Sequence, residues 1–212
     1  MRVLVGCEES QAACIAFRER GHEAYSCDLE PCSGGHPEWH IQADILTVNN
    51  GGLFVTQTGR MVYIEKWDLA IFFPPCTFLT VTANRSFLNN PIRWEKRLAA
   101  VMFFHRLLNC GIPKIAIENP KGVISTHIRK PDQYIQPYQF GHKDSKMTGL
   151  WLKNLPLLKP TEIVEPEWVI SPSGKRHSKT HWNSPSTNNP GNAKLRSKTY
   201  SGIASAMAEQ WG

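Results

Sequence analysis

Several patterns that would assign a chain to a common class are missing from this sequence. No apolar run approaches 18 residues, so no transmembrane helix is predicted, and the short run after Arg2 is too short for the core of a signal peptide. An apolar fraction of 41% argues against a disordered chain, and no internal repeat is visible. We therefore expect one soluble, cytoplasmic domain over residues 1–212, with no membrane partner.

The six cysteines include no C-x-x-C pair. Three of them sit inside apolar runs, which favours reduced, buried thiols over a disulfide framework. The spacing of Cys27, Cys32, His36 and His40 leaves a zinc site open as an alternative, but the C-x₂-C knuckle of structural zinc sites is absent. We favour polar loop residues near a ligand pocket at these positions and predict no bound metal.

Acidic residues are missing from residues 171–198, which we call the basic segment. The formal charge of the chain is +6, and this segment holds six of the 24 Lys and Arg residues. Residues 1–170 are nearly neutral. Such a segment is either a solvated loop or a strip that binds phosphates.

Residues 1–120 alternate between short apolar runs and amphipathic stretches. Strands are predicted over 2–7, 23–29, 40–45, 68–73 and 114–119, and helices over 8–20 and 91–109. Residues 46–66 indicate a surface hairpin or loop, 149–153 a further strand, and 199–211 a terminal amphipathic helix. Alternation at this spacing predicts an α/β fold with a mostly parallel, doubly wound sheet.

Acids and a thiol follow the predicted strands, although the strand bodies are apolar. Ligands bind at the carboxyl ends of the strands in open parallel sheets. The residues at the five ends, in chain order, are Gly6-Cys7-Glu8, Asp28, Asp44, Pro74-Pro75-Cys76 and Glu118-Asn119-Pro120. These residues are therefore the first candidates for a binding or catalytic site.

Asp28 stands about 20 residues after the first turn, where an acid can accept both hydroxyls of a ribose. The first turn has only Gly6 and lacks the G-x-G-x-x-G pattern, which disfavours a dinucleotide with its pyrophosphate. A nucleoside-type cofactor without pyrophosphate remains, and S-adenosylmethionine fits this description. The alternative is that Asp28 caps a turn and Asp44 caps a helix.

Cys76 and Glu118 form the most informative pair. If their strands are neighbours, as a single right-handed crossover predicts, the two strand ends lie roughly 5 Å apart. A nucleophilic cysteine needs a local field that favours its thiolate, and we expect a helix that begins after Cys76 to supply it. The alternatives are a small buried hydrophobe at Cys76 and a surface carboxylate at Glu118.

Pro74-Pro75-Cys76 and Glu118-Asn119-Pro120 resemble the Pro-Cys and Glu-Asn motifs of the cytosine-C5 DNA methyltransferases. The chain is most similar to the small, single-domain members of phage type, over nearly its whole length apart from 46–66 and 160–195. The resemblance implies a Rossmann-like methyltransferase fold, S-adenosylmethionine as methyl donor and DNA as substrate. It also implies that Cys76 is the nucleophile, that Glu118 stabilises protonation at N3 of cytosine, and that Asn119 helps to position the pocket.

Further residues are expected to contact ligands. Those implied for the cofactor are Gly6, Cys7, Glu8, Asp28, Leu29, Asp44, Pro74, Ser201 and Gly202. Those expected for nucleic acid are Lys146, from the resemblance, and Lys175, Arg176 and Lys179, from the basic segment. Larger relatives keep a target-recognition domain where this chain has only residues 154–198, so we expect low or short-site specificity.

The chain departs from the family at its Gln-x-Arg-x-Arg motif. Asp144 stands at the Gln, Lys146 at the first Arg and Thr148 at the second. Two alternatives to a monomeric DNA methyltransferase therefore stay open. One is the same chemistry on a free nucleotide or with a modified S-adenosyl donor, and the other is a catalytically decayed protein that only binds nucleic acid.

Overall fold

A computed structural model describes residues 1–178, 182 and 199–212 of the chain. The strands are β1 (Arg2–Gly6), β2 (Glu23–Asp28), β3 (His40–Gln42), β4 (Gly52–Val55), β5 (Met61–Ile64), β6 (Leu69–Phe72), β7 (Lys114–Pro120), β8 (Gln133–Ile135), β9 (Thr148–Lys153), β10 (Trp168–Ile170) and β11 (Arg176–Ser178). The helices are α1 (Ala12–Glu19), α2 (Ile45–Val48), α3 (Pro91–Leu108), α4 (Ile124–His127) and α5 (Ser201–Trp211).

Seven of the strands form the central sheet, in the order β3-β2-β1-β6-β7-β9-β8. The five strands from β3 to β7 in this order run parallel, whereas β9 is antiparallel to both of its neighbours. The predicted fold class is confirmed. It is an α/β fold with a mostly parallel central sheet.

Helices cover both faces of the sheet, which makes it doubly wound. On one face α1 and α5 pack together, with Phe17 and Trp211 in a single apolar cluster. On the other face Phe104 of α3 packs edge-on against Trp151 of β9. Because both faces are covered, β6 is buried at every residue and polar groups collect at the strand ends. None of the described helices is long and apolar enough to cross a bilayer.

Two predicted elements have clearly different bounds, and three short strands were missed. The first helix begins at Ala12 rather than at Glu8, because Glu8 to Gln11 form a turn in which Gln11 has a φ of 60°. The third strand ends at Gln42, and Asp44 begins α2 instead of ending the strand. The short strand β8 and the hairpin of β10 and β11 were not predicted, because three residues carry too little periodicity to be recognised.

Candidate active site

Strands β6 and β7 bring the ends that carry Cys76 and Asn119 to one place on the sheet edge. The two strands pair in parallel, with Phe72 opposite Ile117. The Nδ2 of Asn119 donates a hydrogen bond to the backbone oxygen of Pro74 at 2.9 Å, which joins the end of β7 to the turn before Cys76. The predicted adjacency of these two strands is confirmed.

Asn119 is buried, and one of its polar atoms lacks a partner. Its side chain is 1% exposed, yet no donor among the described residues reaches Oδ1. An orphaned buried acceptor costs about 1–3 kcal/mol. The end of β7 therefore contains one buried acceptor that no described residue satisfies.

The chain after Cys76 forms a tight turn, and the prediction of a helix at this point is wrong. The backbone oxygen of Cys76 accepts hydrogen bonds from the N–H groups of Leu79 and Thr80, at 2.9 and 3.2 Å. A 3₁₀ helix follows over Val81–Phe87, and α3 begins only at Pro91. Because the field of a helix dipole falls off within one turn, α3 does not act directly on the thiol.

Gly122 supports this turn from the segment that follows β7. A Cβ at Gly122 would lie 2.1 Å from the backbone oxygen of Leu79. The same oxygen accepts a hydrogen bond from the N–H of Val123 at 2.8 Å. The close approach therefore requires glycine at position 122.

Arg97 of α3 holds the turn from the other side. Its Nε donates to the backbone oxygen of Phe78 at 2.8 Å, and its Nη2 donates to that of Thr80 at 3.2 Å. The side chain is 3% exposed, and burial lowers the pKa of its guanidinium. We did not predict this residue, although a cation among the apolar positions of the predicted helix was a signal. Arg97 and Gly122 together fix the segment that carries Cys76.

Glu118 lies in a small cleft at the same edge. The Oγ1 of Thr148 donates a hydrogen bond to Oε1 of Glu118 at 2.7 Å, which fixes the carboxyl group. Lys146 lines this cleft together with Glu118, and the ring of Phe73 and the side chain of Ile203 form apolar walls. The cleft therefore presents a carboxyl group and a cation to one small volume.

Residues at the start of α5 line the same cleft. Tyr200, which lines the cleft, donates a hydrogen bond through its hydroxyl to Oδ2 of the buried Asp144. The N–H of Gly202 donates to Nε2 of His142 at 2.9 Å, and a Cβ at Gly202 would lie 1.9 Å from the backbone oxygen of Phe140. The pair of Tyr200 and Asp144 was not predicted as a site element, since the two are far apart in the sequence.

Burial raises the pKa of four of the other thiols. These are Cys7, Cys14, Cys110 and Cys27, and the pKa of Cys27 rises to about 12. A thiol held in its protonated form is a poor nucleophile. Cys76 is half-exposed and follows β6, the strand that pairs with β7.

Glu8 stabilises the start of the first helix. Its carboxyl oxygens accept hydrogen bonds from the N–H groups of Ala13 and Cys14, at 2.7 and 3.3 Å. Burial raises its pKa to about 8, despite these two bonds. Gly6 and Cys7, on the same turn, are packed closely, because a Cβ at Gly6 would lie within 2.8 Å of Ile45.

The acids after β2 and β3 each accept one backbone hydrogen bond. The Oδ1 of Asp28 accepts from the N–H of Glu30 at 3.0 Å, and the Oδ1 of Asp44 accepts from that of Leu46 at 2.9 Å. The capping alternatives for both residues are thus observed. Each carboxylate keeps a second oxygen that a ligand can use. Leu29 is 71% exposed next to Asp28.

The expected nucleic-acid residues fall in two places. Lys146 lies in the cleft beside Glu118. Lys175 and Arg176 are exposed on the hairpin of β10 and β11. Lys179 lies outside the described residues.

The histidines and cysteines of the alternative zinc site do not converge. His40 is bonded on both ring nitrogens, to Oγ of Ser26 and to the backbone oxygen of Glu30, each at 2.9 Å. His36 stacks on the ring of Trp39 instead. Within residues 1–178, 182 and 199–212, no three His, Cys, Asp or Glu side chains are grouped so that they could hold a metal ion.

The donors and acceptors of this edge fit a nucleoside-type cofactor. Asp28 is half-buried and has a carboxylate oxygen for ribose hydroxyls. Phe73 offers an apolar wall in the cleft beside Glu118. Hydroxyl donors and an apolar base are what such a cofactor carries.

Comparison with known proteins gives little further guidance. No protein-family model matches the chain, and no curated protein matches it. Among solved structures, it is similar to a protein encoded within an E. coli prophage, whose assignment as a DNA modification methyltransferase is itself provisional. The TM-score is 0.45 at 12% identity over 78% of this chain, and the chain spans 52% of that protein's length. A similarity this low carries no argument about activity.

Proposed function

We propose that the chain is an S-adenosylmethionine-dependent DNA methyltransferase that modifies C5 of cytosine through a covalent adduct at Cys76. The observation that carries the proposal is the junction of two strand ends. Asn119 binds the carbonyl of Pro74 across the junction, with Cys76 on one side and Glu118 on the other. A thiol and a carboxyl group on adjacent strands suit addition to a ring followed by proton transfer.

The residues that would hold the cofactor lie along the same edge. Asp28 would accept the ribose hydroxyls, and Asn119 would accept a polar hydrogen of the ligand at its free Oδ1. Gly6, Cys7, Pro74 and the start of α5 at Ser201 and Gly202 would form the walls. When bound, S-adenosylmethionine supplies an electrophilic methyl group to C5 of the activated base.

Cys76 makes C5 nucleophilic. Its thiolate forms a bond to C6 of the base, and the electrons of the 5,6 double bond move into the ring. Glu118 donates a proton to N3, which gives an enamine with its electron density at C5. After methyl transfer, loss of the C5 proton to a base expels the Cys76 thiolate and restores the 5,6 double bond, and the N3 proton returns to Glu118.

Two further residues orient Glu118 and the ring. Thr148 occupies Oε1 of Glu118 with its hydroxyl, which leaves Oε2 for the base. Lys146, which lines the same cleft, would contact the base or its phosphate. One cation and one hydroxyl thus stand where the family has two arginines.

We expect DNA contacts from cations of the basic segment. Lys175, Arg176 and Lys179 would bind phosphates without reading sequence, with the salt dependence typical of such contacts. A duplex target must be flipped out of its stack, which costs a few kcal/mol and is avoided by a single strand.

The experiment uses labelled S-adenosylmethionine with duplex DNA, single-stranded DNA or free cytidine nucleotides in separate reactions. Nucleosides are then separated by mass spectrometry. The proposal expects 5-methylcytosine in at least one DNA reaction and none with Cys76→Ser, whereas Cys32→Ser remains active. Label in free nucleotides alone would show that the substrate is a nucleotide, and no label in any reaction would reject the enzyme.

A further inference from the structure

A second group of cations lies between Cys76 and the middle of α3. Residues 77–97 contain Arg85, Arg93, Lys96 and Arg97, against one acid, Glu95. Arg97 is buried against the backbone of the Cys76 turn. The other three are named here the α3 cation cluster.

The α3 cation cluster surrounds two aromatic rings. The guanidinium carbon of Arg93 lies 5.4 Å from the ring centre of Phe78 and 5.0 Å from that of Phe87. The Nζ of Lys96 lies 5.8 Å from the ring centre of Phe78. Arg85 is exposed on the 3₁₀ helix that ends at Phe87.

The charges of this cluster are not neutralised within the described part of the chain. Arg85, Arg93 and Lys96 form no ion pair with a described acid. The Nε of Arg93 is buried and has no hydrogen-bond acceptor among the described residues. The cluster therefore keeps a positive charge that an anion from outside the chain can neutralise.

The cluster is close to the nucleophile. Phe78 follows Cys76 by two residues, so their Cα atoms are at most about 7 Å apart. Arg93 and Lys96 both lie over the ring of Phe78. The two cations over the ring of Phe78 therefore lie against the segment that carries the nucleophile.

We infer that Arg85, Arg93 and Lys96 bind the DNA phosphates that flank the target cytosine. This inference rests on the proposed function and adds a second phosphate contact to it. The basic segment accounts for the net charge of the whole chain. The positive charge of the α3 cation cluster does not show in the net charge, because acids elsewhere in the chain balance it. The α3 cation cluster would hold the DNA strand next to the reacting base. The basic segment comes after β9 in the chain.

The test is a binding assay of the full chain with fluorescent duplex and single-stranded DNA over a range of salt concentrations. The variant is R85E/K96E, because both side chains are exposed and their replacement leaves the core intact. The matched control is R60E/K66E, which removes the same charge from exposed positions around the hairpin of β4 and β5. Circular dichroism checks that both variants fold.

For R85E/K96E we expect the slope of log K against log salt to fall by about two, because each phosphate contact contributes about 0.9. We expect Kd near physiological salt to rise on the order of tenfold. The control should retain the wild-type slope. Equal effects of the two variants, or no effect of R85E/K96E, would overturn the inference while leaving methylation by the wild type untouched. If the wild type neither binds nor modifies DNA, the proposed function and this inference fail together.

Discussion

The carboxyl edge of the sheet has two halves that use similar residues in different ways. At the ends of β1, β2 and β3, each acid accepts at least one backbone N–H: Glu8 at the start of α1, Asp28 at a turn, and Asp44 at the start of α2. These bonds stabilise local structure. The β1 half of the edge is therefore largely occupied by the demands of the fold.

The half formed by β6 and β7 is different. Glu118 is held by a side chain, Thr148, and the Oδ1 of Asn119 has no donor among the described residues. Cys76 is half-exposed on a turn fixed by Gly122 and Arg97. An acid at a strand end can be explained by hydrogen bonds to the backbone alone. Such an acid is a candidate for a functional site only when these bonds do not account for its position.

The largest expected effect is that of Cys76→Ser. Loss of the nucleophile should reduce methyl transfer by on the order of a thousandfold or more, while cofactor binding stays intact. Cys32→Ser is the matched control, since Cys32 is also half-exposed but lies near β3. Rates of label transfer and calorimetric titration of the cofactor check both. Equal losses of methyl transfer in the two variants would show that the halves of the sheet edge do not differ in function.

Gly122→Ala tests whether the turn must be held in place. A Cβ 2.1 Å from the backbone oxygen of Leu79 forces the Cys76 turn to move. We expect a loss of on the order of a hundredfold in kcat, since small displacements of a nucleophile are that costly. Gly111→Ala is the control, because nothing lies within 4 Å of its Cβ. A fully active Gly122→Ala enzyme would show that the turn tolerates displacement.

Thr148→Val tests the orientation of Glu118. Removing the hydroxyl leaves Oε1 of Glu118 without its donor, and we expect kcat to fall about tenfold with little change in KM. Thr148→Ser keeps the hydroxyl and should restore the rate. A Ser variant as slow as the Val variant would mean that the methyl group of Thr148, and not its hydrogen bond, matters.

Asp28→Asn probes the acid of the first half that we expect to bind the ribose of the cofactor. Removing the charge should raise the Kd for S-adenosylmethionine on the order of tenfold and leave kcat at saturation unchanged. Glu19→Gln, an exposed acid at the end of α1, is the control. An unchanged Kd for Asp28→Asn would make this residue a turn cap only.

Glu8→Gln has the smallest expected effect, and it concerns stability. Burial raises the pKa of Glu8 from 4.5 to about 8 in the folded chain, so the folded state keeps a proton that the unfolded state releases between these values. The stability that Glu8 contributes is complete below its unfolded pKa and is lost as the pH rises through about 8. Denaturant titrations from acidic to mildly alkaline pH should therefore show the wild type losing stability relative to Glu8→Gln. A relative gain with rising pH would show that Glu8 is ionised in the fold.

The sequence predicted the parallel sheet and the pairing of β6 with β7, because buried strands leave continuous apolar runs and crossovers have a fixed hand. It did not predict that Glu8 serves α1, since a carboxylate that caps a helix and one that binds a ligand look alike in sequence. Arg97 and the pair of Tyr200 and Asp144 depend on contacts between segments distant along the chain. Local patterns carry no information about such contacts.

The covalent adduct at Cys76 is the central claim, and trapping on DNA that contains 5-fluorocytosine tests it most directly. Fluorine at C5 blocks the final elimination, so an enzyme that adds its thiolate to C6 stays attached after methyl transfer. The account predicts a cofactor-dependent complex stable to denaturation, with the base attached at Cys76 by peptide mass spectrometry, and no complex with Cys76→Ser. A complex attached at another residue, or 5-methylcytosine formed by the Cys76→Ser variant, would contradict it.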